Sequence, residues 1–232
     1  MSAVVTALVV ALLSGAAGWW LPRLIARIPE RDPDDPTTYA LIASPPWVPG
    51  ALAAVAAVVG AVLGWARLGE PDLVAFAVLG VAGTAMGYVD LRRHLLPDRL
   101  TVPALMAGGV LLGIAALAGG SGDDWHAYAR AWACAGGLLL VYLVLALLYP
   151  AGLGLGDVKL AGALGLHLGW LGWWGPVVGT VAAFLIGGLV SLALLLARRA
   201  SRHTAVPFGP SMLGGALVAI VWGEAITAWY LG

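Results

Sequence analysis

Residues 2–20 read SAVVTALVVALLSGAAGWW, nineteen positions without one charged side chain. A helix crossing a bilayer needs about 20 mostly apolar residues, so this stretch alone is long enough to span. The remainder of the chain repeats the theme. Of its 232 residues 61% are hydrophobic and only 10% charged, against about 25% charged in an ordinary soluble domain. Apolar runs of spanning length begin near Ser2, Trp47, Leu73, Leu100, Ala127, Val158, Val177 and Pro210. The fold class is therefore all-α: a polytopic membrane protein with about eight transmembrane helices. No positive residue precedes the first apolar core, so that segment reads as a retained first helix and not as a cleaved secretory signal.

The chain reads as a single integral-membrane domain, 1–232. Residues 1–72 supply N-terminal helices around a short loop, 21–46, and residues 73–232 form the core. The loop contains PERDPDDPTT, rich in Pro and Asp, which reads as irregular. A Gly- and Trp-rich stretch, Gly169 to Pro176, reads as an interfacial turn. The basic residues set an orientation. Arg23, Arg27, Arg31, Arg92, Arg93, Arg99, Lys159, Arg198, Arg199 and Arg202 fall in the odd-numbered loops, and only Arg67 and Arg130 in the even ones. By the positive-inside rule the odd loops face the cytoplasm of a cell inner or plasma membrane and both termini face outward. Net charge is zero, so nothing points to nucleic acid. The single cysteine, Cys134, supports neither a disulfide framework nor a cysteine zinc site.

An acid near bilayer depth costs several kcal/mol unless it finds water, a partner or the bundle interior. Glu30, Asp32, Asp34, Asp35, Glu70, Asp72, Asp123 and Asp124 read as solvated loop residues. Four acids remain. Asp90 ends the third helix, where Arg92, Arg93 or Arg99 could pair with it. Asp98 follows Pro97 and suits the first turn of the fourth helix, where the helix dipole favours negative charge. Asp157 lies in GLGLGDVKLAG, residues 152–162. It could cap the following helix, but capping needs no three glycines upstream. Gly152, Gly154 and Gly156 would leave a strand-like edge against which an extended peptide could pair. Glu224 sits about two turns from the end of the last helix, on the opposite face from the other acids.

Asp90 and Asp157 both lie at helix ends on the side that the Arg count makes cytoplasmic. Two carboxylates brought together share one proton, because repulsion keeps both from ionising at once. The ionised member can activate a water, and the protonated member can polarise a carbonyl and then protonate the leaving amine. Such proteolysis needs no metal and no cofactor. His94, His126, His167 and His203 are scattered, with no HExxH spacing, and no Gly-x-Ser-x-Gly is present. A proton-coupled transporter is the main alternative, but it calls for acids near mid-membrane and an inverted repeat. A catalytically silent assembly factor of a pilus or secretion system is the other.

Asp90 with Pro97-Asp98-Arg99-Leu100-Thr101, then Gly154-Leu155-Gly156-Asp157-Val158-Lys159, then Pro207-Phe208-Gly209-Pro210 resembles the type IV prepilin peptidases, also called leader peptidases. The resemblance covers roughly Val74 to the end. It implies a GxGD aspartic endopeptidase with Asp90 and Asp157 as the catalytic pair. Asp98, Gly154, Gly156 and Lys159 would be supporting or substrate-binding neighbours. It implies prepilin or pseudopilin substrates, cut on the cytoplasmic side after a glycine that follows a short basic leader and precedes an apolar helix. Many members carry a longer first cytoplasmic loop with two cysteine pairs; here that loop is short and has none. Many also methylate the new N-terminus with S-adenosylmethionine, and no residue here is assigned to that activity. The acidic PERDPDD segment is expected to attract a basic leader. Which prepilin is cut, and the oligomeric state, stay open.

Overall fold

The computed structural model describes residues 3–29, 38–149, 153–197 and 206–231. Among them nine helices follow one another: α1 Ala3–Ile25, α2 Tyr39–Ala43, α3 Val48–Ala66, α4 Leu73–Arg93, α5 Asp98–Gly119, α6 Gly122–Leu148, α7 Leu155–Leu171, α8 Trp174–Leu196 and α9 Gly209–Leu231. No strand occurs among the described residues. Hydrocarbon offers the backbone no hydrogen bonds, so helices that pair their own N–H and C=O groups are the expected solution. Seven helices are long and apolar enough to cross a membrane. The eighth apolar run is α7, 17 residues long and buried without a break from Leu160 to Trp170. A helix apolar on every side belongs in the middle of a bundle, and the others surround it.

Small residues set the helix pairings. A Cβ on Gly18 of α1 would lie 2.7 Å from the Leu52 carbonyl oxygen of α3, and one on Gly60 of α3 would lie 2.5 Å from Ser14 Oγ of α1. A Cβ on Gly165 of α7 would stand 2.7 Å from the Cys134 carbonyl oxygen of α6, and one on Gly215 of α9 would collide with the Gly179 carbonyl of α8. Backbones this close gain dispersion contacts that lipid cannot match, which is what holds helices together in a bilayer. The pairs α1–α3, α6–α7 and α8–α9 are joined through α4 and α5. A core of Met86, Tyr142, Leu160, Leu164 and Met212 lies around α7.

Three sequence expectations are corrected. First, α2 is an additional helix inside the first loop. Thr38 caps it, accepting from Leu41 N at 3.1 Å, and the Tyr88 hydroxyl of α4 donates to the Ile42 carbonyl at 2.5 Å. Second, α6 starts five residues earlier than its apolar run, because Ser121 and Asp124 form a reciprocal cap. Asp123 and Asp124 are thus helix first-turn acids, and Arg130 belongs to α6. Third, Asp72 is not a solvated loop acid. It is 1% exposed, takes both guanidinium donors of Arg67 at 3.0 and 2.5 Å, and accepts from Trp170 Nε1 at 2.6 Å. Trp170 is accordingly buried and does not mark an interface. The α7–α8 turn itself is found, with Gly172 ending α7. The acidic segment 30–35 lies outside the described residues, as do Gly152, Arg31, Arg198, Arg199, Arg202 and His203.

Candidate active site

Asp90 stands one turn from the end of α4. The helix closes at His94, a left-handed residue with φ 51° whose N–H donates to the Asp90 carbonyl at 2.8 Å. A carboxylate at a helix C-terminus faces the negative end of the dipole. The fold compensates with a second helix. Gly209, the first residue of α9, donates its backbone N–H to Asp90 Oδ2 at 2.9 Å. The side chain is 4% exposed. A Cβ at position 209 would lie 2.7 Å from that same oxygen, so only glycine lets the α9 N-terminus come this close. Pro210 suits the first turn, where no N–H is required.

Asp157 is the third residue of α7, behind Gly154 as N-cap with extended backbone, φ −86° and ψ 158°. Its Oδ2 accepts from Gly154 N at 3.0 Å. This is one half of a capping box, and Gly154 has no side chain to supply the other half. The helix-capping reading of Asp157 is thus realised in its geometry. The strand-like edge is corrected at Gly156: residues 155–157 are already helical, Gly154 is extended, and Gly152 lies outside the described residues. Gly156 serves a close approach of another kind. A Cβ there would lie 2.7 Å from Leu96 Cβ and 3.0 Å from the Leu96 carbonyl oxygen.

Leu96 therefore joins the two halves. It lies in the α4–α5 connector, is 7% exposed, and packs against Gly156 on one side. On the other, its Cδ1 would be 3.3 Å from a Cβ on Gly209. Asp90, Gly209, Leu96, Gly156 and Asp157 form one continuous cluster at one end of the bundle. Neither carboxylate has a Lys or Arg in ion-pair contact among the described residues.

Asp98 occupies the first turn of α5, as its position after Pro97 suggests. It pairs with Lys159 of α7 at 2.5 Å, both side chains about 40% exposed. This tie holds the α5 and α7 N-termini side by side next to the cluster. Phe208 anchors the segment before α9, with its ring 5.0 Å from Phe184 of α8 and 6.5 Å from Tyr142 of α6. The Pro207–Pro210 motif was visible in the sequence, but not the contact its glycine makes. Leu96, Phe184 and Tyr142 carried no sequence signal of their own. Glu224 lines a cavity with Arg67 and Trp174 at the far end of the bundle, remote from the two aspartates. Among the described residues no three His, Cys, Asp or Glu side chains converge as a metal set.

The model of the type IV leader peptidase family matches residues 77–196, just over half of the chain, including both Asp90 and Asp157. Curated relatives named "Prepilin leader peptidase/N-methyltransferase" align with it. The protein of Aeromonas hydrophila is 37% identical over 155 residues, covering 63% of this chain and 49% of the relative. That of Aeromonas salmonicida is 36% identical over 155 residues, with 63% and 48% covered, and that of Legionella pneumophila 33% over 157 residues, with 62% and 48% covered. The chain thus spans about half the length of the curated relatives it matches. No solved structure matches it.

Proposed function

The chain belongs to the type IV leader peptidase family, and from that premise we propose that it is a membrane-embedded aspartic endopeptidase removing the basic leaders of prepilins or pseudopilins. The observation that carries this reading is the single cluster formed by Asp90 and Asp157. Sixty-seven positions separate them in sequence, yet Leu96 packs against both Gly209, the donor to Asp90, and Gly156, the neighbour of Asp157, and each carboxylate has a helix N-terminal N–H on one oxygen.

The chemistry follows from what these oxygens have and lack. Each carboxylate has one backbone donor and no cation, so its remaining lone pairs face the other acid, a water or a substrate. Placed together, the two acids hold one proton between them and titrate as a unit. The ionised member takes a proton from a water as its oxygen attacks the scissile carbonyl, and the protonated member donates to the carbonyl oxygen. Collapse of the tetrahedral species breaks the C–N bond: the nitrogen leaves as an amine with a proton from the pair, and a hydroxyl of the gem-diol returns a proton to the pair as the carboxylic acid forms. Gly209 N–H holds Asp90 in place throughout. The loop charges support a cytoplasmic position for this end of the bundle, the side on which a basic leader would lie.

S-adenosylmethionine is the donor that the relatives' second activity calls for. Its sulfonium and ammonium groups need acidic or aromatic partners. The 390 Å³ cavity between α1 and α2 offers Trp19 beside Arg23, and the cavity at the far end of the bundle offers Glu224 with Trp173 and Trp174; no residue is assigned to the donor. No methyl-transfer step is derived. The test is incubation of the purified chain in detergent or nanodiscs with a prepilin. Product masses should correspond to a single cut after the leader glycine, and Asp157→Asn should yield none. Uncut prepilin with the wild-type chain, across several prepilin classes, would refute the reading.

A further inference from the structure

An apolar groove opens beside the aspartates. Its floor is α4 and its walls are α3 and α9, enclosing about 370 Å³. One end lies at Leu91 and Pro210, the residues directly after Asp90 and Gly209. The other end lies near Leu63, Leu79 and Ile220. On α4 the groove covers Leu79 to Leu91, about 18 Å at 1.5 Å per residue, or three turns of a helix. No charged side chain lines it. Its two polar side chains already have partners within the fold: Thr84 Oγ1 donates to the Gly80 carbonyl at 2.9 Å, and Tyr88 donates to Ile42. The groove thus offers no hydrogen bond to a polar ligand. Val55, on the α3 wall, is 51% exposed, so the groove is open along its side.

We infer that this groove seats the first turns of the substrate's apolar helix, immediately after the cleaved bond. The inference rests on the endopeptidase reading and adds where the substrate lies. Three features select this occupant over a lipid chain. The groove runs without a break into the carboxylate cluster, so a helix lying in it delivers its N-terminal end to Asp90. Its charge pattern mirrors that of a prepilin: an uncharged length, then two carboxylates at the mouth, against an apolar helix preceded by a basic leader. Its rigid wall of glycines and aliphatic side chains gains from close helix packing, which is what drives helix association in lipid.

The test compares two substrates: a full prepilin, and a short soluble peptide spanning the cut but lacking the apolar helix. Val55→Trp fills the groove without touching the aspartates. It should raise KM for the prepilin about tenfold, the scale of one lost helix–helix contact, with kcat unchanged and peptide cleavage unaffected. Val58→Trp, on the lipid-facing side of the same helix, should change neither. An equal effect on both substrates, or none on either, overturns the inference, the latter leaving lipid as the occupant. Disulfide crosslinking gives an independent readout in an Asp157→Asn background. Val55→Cys should trap a cysteine placed in the first three turns of the prepilin helix, and Val58→Cys should not; no Val55→Cys crosslink refutes the placement. A Val55→Cys chain with both aspartates intact that crosslinks but cuts neither substrate would instead refute the endopeptidase reading and leave the docking intact.

Discussion

The two ends of α7 treat charge in opposite ways. At the Trp170 end Asp72 is fully enclosed, and its oxygens are matched by Arg67 and the indole N–H. Arg130 closes the same end, donating to the carbonyls of Gly169 and Trp170 at 2.7 and 2.6 Å. These two carbonyls are last-turn acceptors that the helix itself cannot satisfy. At the Asp157 end, Asp90 and Asp157 share one cluster with one backbone donor each and, among the described residues, no Lys or Arg in ion-pair contact. A buried charge with both oxygens matched and a cation beside it has been made inert. A pair left under-matched beside a glycine-built approach retains its chemistry. The same residue type is a staple at one end and, on the endopeptidase reading, a proton carrier at the other, and the difference lies in the partners.

The largest effect that could break this contrast is on cleavage. Asp90→Asn or Asp157→Asn removes one half of an acid–base pair and should lower kcat at least about 10²-fold, with thermal stability unchanged. Activity near wild type in either variant would equate the two ends. The converse holds for Asp72. Truncating it to alanine leaves half-buried Arg67 with Glu70 alone, at 3.8 Å, and the Trp170 indole N–H without its acceptor, which costs about 1–3 kcal/mol. Thermal unfolding in detergent should show that loss, while cleavage per folded molecule stays near wild type.

The apolar runs made all eight long helices legible, because a spanning helix announces itself by length and hydropathy alone. What escaped was non-local. Asp72 sits in a Glu-Pro-Asp stretch that looks like any solvated loop, and its fate is decided by Trp170, 98 positions away. Five-residue α2 is too short to show a period. Asp90 and Asp157 stand in motif residues, but the packing of Leu96 between Gly156 and Gly209 depends on where three separate segments meet. Gly209 stood in a recognisable motif, yet its task, a hydrogen bond across 119 positions, leaves no local trace.

A finer test lies at Gly209. Gly209→Ala puts a methyl group against Asp90 Oδ2 and should displace the carboxylate from the α9 N-terminus. A misplaced reacting group costs on the order of 10²-fold in kcat, while KM, set by substrate contacts elsewhere, should change less. Equal losses in both would mean general disorder of the site. The smallest expected effect belongs to the exposed pair. Lys159→Met should cost under about 1 kcal/mol of stability, the range for surface ion pairs, and reduce cleavage only modestly. Loss as deep as that of Asp157→Asn would move Lys159 from a tie between helices into the chemistry itself.

The most direct measurement takes wild type, Asp90→Asn, Asp157→Asn, Asp98→Asn and Asp72→Asn through one prepilin cleavage assay, with thermal unfolding recorded on the same samples. If Asp90 and Asp157 form the catalytic pair, those two variants stay as stable as wild type and leave the leader uncut. Asp98→Asn then cuts, and Asp72→Asn is destabilised but cuts in proportion to its folded fraction. Leader cleavage surviving in Asp90→Asn or Asp157→Asn would contradict the pairing at its centre.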